Sequence, residues 1–61
     1  MISIIIPTKN EEKTIYHTLS NLQILRKKKI CEIILVDGRS DDETINISKP
    51  YVDKILSISP N

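Results

Sequence analysis

Glu32-Ile33-Ile34-Leu35-Val36-Asp37-Gly38-Arg39-Ser40-Asp41-Asp42-Glu43-Thr44 decides the fold. Its first part closes an apolar run, Ile30–Val36, rich in branched aliphatic side chains. A run this short and this apolar reads as a strand buried on both faces. Asp37-Gly38 stops it. Ser40-Asp41-Asp42-Glu43 then fits a capping box, with Ser40 as the cap and Glu43 reaching back to it. A buried strand passing through a polar turn into a helix is the repeating unit of an open parallel sheet.

Working outward, two more runs match. Ile2–Ile6 is stopped by Pro7, and Ile55–Ile58 is interrupted by Ser57 and ends near Pro60. Between the first two runs lies a helical stretch, residues 11–27. Asn10 is its expected N-cap, and Glu11 and Glu12 sit in a first turn that favours acids. Ile15, Leu19 and Leu22 fall at i, i+4 and i+7 and form one apolar stripe. Arg26, Lys27, Lys28 and Lys29 crowd the end where cations are favoured. In the second helix Ile45 is the first core candidate, and Pro50 ends it by about Ser48. The order strand, helix, strand, helix, strand gives a three-stranded parallel sheet with right-handed crossovers. That is one half of an open, Rossmann-like α/β nucleotide-binding fold.

Composition narrows the function. The chain has 61 residues, with nine Lys and Arg against eight Asp and Glu, and a net charge of +1. So even a balance excludes a nucleic-acid module driven by phosphate contacts. No run approaches the roughly 18 apolar residues of a membrane span. Met1 leads straight into Ile2 and Ile4–Ile6 with no basic leader, so no targeting segment is expected and the expected location is cytoplasmic. Cys31, the one cysteine, cannot form an internal disulfide and is expected to pack as a small apolar group at a strand start. Thirteen residues are Ile, and Phe, Trp and Ala are absent. A core of branched aliphatics suits strands. A chain this short buries only about 60% of its unfolded surface. Its unpaired sheet edges therefore make self-association an expectation.

In such sheets ligands sit outside the carboxyl ends of the strands. Pro7-Thr8-Lys9-Asn10-Glu11 and Asp37-Gly38-Arg39-Ser40-Asp41-Asp42 fall there, both entering helix N-termini. Such termini ordinarily suit phosphate. Here Glu11, Glu12, Asp37, Asp41, Asp42 and Glu43 oppose a bare anion. They suit a partner offering N–H or O–H donors, such as a base or ribose, or a phosphate carried by a divalent metal. Gly38 is the only glycine, so neither a dinucleotide fingerprint nor a P-loop is present. Asp41 and Asp42 read as capping, solvated acids. His17 lies about 200° from Ile15 on the helix and reads as exposed.

These residues carry a resemblance. Ile4-Ile5-Ile6-Pro7-Thr8-Lys9-Asn10-Glu11-Glu12 resembles the opening strand and loop of family 2 glycosyltransferases, inverting enzymes of the GT-A fold. Glu32 to Thr44 is similar to that family's second strand and its V-D-[DG]-G-S-x-D-x-T loop, at the family's spacing. Asp53-Lys54-Ile55-Leu56 extends the likeness to about Ile58. The resemblance implies that Pro7, Thr8 and Glu11 line the nucleotide of a sugar donor, and that Asp37 accepts a hydrogen bond from its base, typically uracil. It implies that residues 1–61 are the N-terminal, nucleotide-binding portion of a longer domain. By the same resemblance, no catalytic residue and no metal ligand is expected in this chain. The Mg or Mn ion expected for the complete enzyme, with its D-x-D-type ligands, and the general base belong to later segments. The chain alone is therefore expected to be inactive. Arg39 stands where the family usually has Gly, and Glu43 stands where Gly is common. Two alternatives accompany this reading. One is a non-catalytic remnant or interaction module completed by another chain. The other is a receiver-like domain with Asp37 as phosphoacceptor, which would need five strands where this chain offers three.

Overall fold

The computed structural model describes residues 1–59. The stop expected at Pro60 lies outside them. The elements are β1 (Ile2–Thr8), α1 (Ile15–Ser20), α2 (Gln23–Lys27), β2 (Cys31–Asp37), α3 (Thr44–Ser48), a 3-10 turn over Lys49–Tyr51, and β3 (Lys54–Ser57). The strands form one parallel sheet in the order β1-β2-β3. This is the α/β arrangement expected of a partial Rossmann-like unit.

The register aligns Ile4 with Ile33, Ile6 with Leu35, and Leu35 with Ile55. These residues share one face, because side chains alternate along a strand. Cys31, Ile33 and Leu35 of β2 are buried there with Ile15 and Leu19 of α1 and with Val52. Ile4, Ile6, Leu22, Ile47, Tyr51 and Ile55 pack around them. The branched aliphatics thus form the core, and Cys31 is buried at the start of its strand.

The other face is open. Ile5 is 62% exposed and Leu56 48% exposed, with Ile34 and Val36 half-buried between them. Burial on both faces, expected from the apolar runs, is therefore corrected to burial on one. The strand order advances in one direction, and crossovers of the same hand then lie on the same side.

The single helix expected over 11–27 is two short ones. Leu19 explains the break. Its carbonyl accepts the Leu22 N–H at 3.0 Å and the Gln23 side-chain amide at 3.0 Å, so the chain tightens by one residue there. That amide also donates to the Tyr51 carbonyl at 2.9 Å, tying the break to the 3-10 turn. Pro7, expected to stop the first strand, instead lies inside β1. An edge strand tolerates a residue without an N–H. As expected, α3 ends at Ser48, with Pro50 in the 3-10 turn that follows.

At the amino ends of the strands, Arg26 locks the helices to the sheet. Its Nε donates to Asp53 at 3.2 Å, and its Nη atoms donate to the carbonyls of Pro50 at 3.3 Å and Val52 at 3.2 Å. Asp53 in turn accepts the Ile33 N–H at 2.8 Å. That bond holds the Asp53 carboxyl below its usual range, burial opposing it and Arg26 reinforcing it.

Candidate functional site

The parallel register ends with Thr8 opposite Asp37, so both loops leave the same rim of the sheet. The Gly38 N–H donates to the Thr8 carbonyl at 2.9 Å and extends the pairing one residue further. Asp37 has no exposed surface. Its Oδ1 accepts the Thr8 hydroxyl and the Ser40 hydroxyl, each at 2.6 Å. Its Oδ2 accepts the Ser40 N–H at 2.7 Å. Burial pulls the Asp37 pKa upward. The Ser40 and Thr8 hydrogen bonds and the nearby Lys9 charge outweigh it, so the carboxyl titrates below its usual range. Hydrogen bonds to the charged form favour that form.

Beyond this node the loops are stitched together. The Asn10 N–H donates to Ser40 Oγ at 2.8 Å, and Asn10 Oδ1 accepts the Asp41 N–H at 2.8 Å. The Glu11 N–H donates to Thr44 Oγ1 at 2.8 Å, and the Glu12 N–H donates to Asp42 at 3.3 Å. Lys9 Nζ donates to the Arg39 carbonyl at 2.7 Å. Each hydroxyl works twice. Ser40 donates to Asp37 while accepting from Asn10, and Thr44 donates to Asp42 while accepting from Glu11.

This stitching corrects both expected caps. Asn10 takes a left-handed φ of 52° and serves the opposite loop. The turn into α1 closes instead on the Glu11 carbonyl, which accepts the N–H groups of Thr14 and Ile15. Ser40 is spent on Asp37. Glu43 holds the N-cap position without a side-chain cap bond and accepts the Asn46 side-chain amide at 2.7 Å, while Asp42, just ahead of the helix, accepts the Thr44 N–H at 3.0 Å. Burial raises the Asp42 pKa, but bonds from Thr44 and Glu12 bring it below its usual range.

All four residues singled out from the sequence gather at this rim. Pro7 and Glu11 are exposed, whereas Thr8 and Asp37 are buried. Asp37 was expected to offer its carboxylate to a base. Here its three accepted bonds all come from Thr8 and Ser40, which makes it the residue that positions the rim. His17 is exposed, as expected. The bridging roles of Lys9, Asn10 and Ser40 were not read from the sequence. Only the Asn10 turn had a signal, since Asn is enriched among left-handed residues.

Among the described residues no three His, Cys, Asp or Glu side chains come together to hold a metal ion. No described helix is long and apolar enough to cross a membrane.

A family model for glycosyl transferase family 2 matches residues 3–60. Comparison with curated proteins and with solved structures found no significant match.

Proposed function

Since the chain belongs to glycosyl transferase family 2, we propose that it supplies the nucleotide-recognition half of a nucleotide-sugar donor site, with uridine diphosphate as the nucleotide. One observation carries this reading: two polar loops, stitched into a single rim, stand at the carboxyl ends of adjacent parallel strands. Ligands of open α/β sheets bind there. In this reading Pro7 and Glu11 line the nucleotide directly. Thr8 and Asp37 act from beneath, and a direct bond from Asp37 to a base N–H requires the Gly38–Ser40 turn to open. Residues 1–61 are then the N-terminal part of a family 2 domain, working in the cytoplasm, where Cys31 stays reduced. The metal ligands and the base that deprotonates the acceptor come from other segments, so the chain alone turns over no donor. Sugar transfer by the purified chain would overturn that last statement.

Titrating the 15N-labelled chain with uridine diphosphate tests the site. The expected result is saturable shifts at the amides of Thr8–Glu12 and Gly38–Ser40, weakened by Glu11→Ala. Asp37→Ala should abolish them, with circular dichroism reporting whether that variant stays folded. Shifts elsewhere, or none, sink the proposal.

A second reading, an interaction module, is favoured by a separate observation. One face of the sheet is uncovered and carries Ile5 and Leu56 at 62% and 48% exposure. Self-association through that face is its consequence.

A further inference from the structure

We propose that Arg39 binds the phosphate end of the nucleotide and that its backbone is strained for that purpose. The inference rests on the nucleotide site proposed above. Gly38 and Arg39 stand in an order that stability alone would not choose. Arg39 holds φ at 59°, in the left-handed region, while Gly38 has no positive φ. A side chain at Gly38 would meet only ordinary contacts, the Thr8 carbonyl at 3.6 Å and Lys9 Cδ at 3.9 Å. The loop thus spends its glycine where none is needed and places a bulky residue where glycine is favoured. Backbone outliers of this kind are a reason to look for function.

The surroundings say which function. The Arg39 backbone is fixed from three sides. Its carbonyl accepts Lys9 Nζ, the Gly38 N–H before it reaches Thr8, and the Ser40 N–H after it reaches Asp37. Its side chain is exposed. Among the described residues the guanidinium has no hydrogen-bond or ion-pair partner, although Glu11, Glu12, Asp41 and Glu43 all lie on the same two loops. A rigidly mounted, unspent guanidinium at a ligand-binding rim suits phosphoryl oxygens, which it can grip with two parallel N–H donors. Several rim acids are occupied within the protein, Asp37 by Thr8 and Ser40, Asp42 by Thr44 and Glu12, and Glu43 by Asn46, and Arg39 takes the anionic end of the ligand.

Isothermal titration of the chain with uridine, uridine diphosphate and inorganic pyrophosphate separates the possibilities. The wild type should bind the diphosphate about tenfold tighter than uridine. Arg39→Gly should erase that advantage, leave uridine binding unchanged and raise the thermal midpoint. Arg39→Lys should retain part of the advantage, because it keeps charge without the fork. Pyrophosphate bound as tightly as the nucleotide by the wild type, but not by Arg39→Gly, would still support the role, with free phosphate as the source. An unchanged preference in Arg39→Gly, or uridine and diphosphate bound equally by the wild type, overturns this inference and leaves the nucleotide site standing. Failure of all three ligands to bind overturns both.

Discussion

Asp37 keeps its charge with no exposed surface, and the Thr8 and Ser40 donors are what make that possible. A buried carboxylate without partners would be strongly disfavoured, whereas each charge-assisted bond recovers about 1.5–3 kcal/mol. Asp37→Asn keeps the shape but turns an amide donor toward a site that needs an acceptor. It should cost about 2–3 kcal/mol at neutral pH. The pH dependence gives an independent check. The folded pKa of Asp37 lies below its unfolded value of about 3.9. A carboxyl lowered on folding adds stability that is complete above the unfolded pKa and disappears as pH falls through the folded one. Wild-type stability should therefore be level down to about pH 5 and fall below about pH 4. Asp42 and Asp53 are lowered too, so an acid limb should persist in Asp37→Asn with a shallower slope. Urea unfolding at a series of pH values measures both curves, and identical slopes would remove Asp37 from its place at the centre of the rim.

Among the elements, α2 shows how a chain with a single glycine ends its helices. The Ile30 N–H donates to the Leu25 carbonyl and the Lys29 N–H to the Arg26 carbonyl, both at 3.0 Å. That is the Schellman pattern, and it requires a left-handed residue at Lys29, whose φ is 58°. Lys29→Gly should raise stability by about 1 kcal/mol. A urea midpoint that rises at unchanged slope is the expected signature, and a midpoint that falls would show that Lys29 makes a contact worth more than the strain. The same element marks where the sequence was legible. The spacing of Ile15, Leu19 and Leu22 identified the buried stripe correctly, because periodicity reports which face meets the core. It could not report the break at Leu22, which depends on Gln23 reaching Tyr51, 28 residues away. The rim divides in the same way. Its two loops could be located to within a residue because the apolar runs stop at Pro7 and at Asp37, although β1 itself continues to Thr8. The stitching of Asn10 to Asp41 and of Ser40 to Asn10 depends on the register between β1 and β2, which no local pattern contains.

At the scale of the whole molecule, the lopsided sheet sets the behaviour in solution. Both crossovers cover one face, and six residues form the buried core beneath them. The opposite face presents Ile5, Leu56 and the half-buried Ile34 and Val36. Both outer strands have unpaired edges, which recruit further strands unless something blocks them. A net charge of +1 gives two copies little reason to repel. The occupant that these facts favour in a purified sample is a second copy of the chain, seated face to face or edge to edge. Light scattering over a concentration series should show the mass climbing above 7.0 kDa. Ile5→Lys with Leu56→Lys should hold it at the monomer value, because both positions are solvent-facing and the core does not use them. Uridine diphosphate should leave the association unchanged, since the rim lies at the strand ends and the open face lies across their middle. A constant monomer mass at every concentration would exclude the face as a self-docking surface.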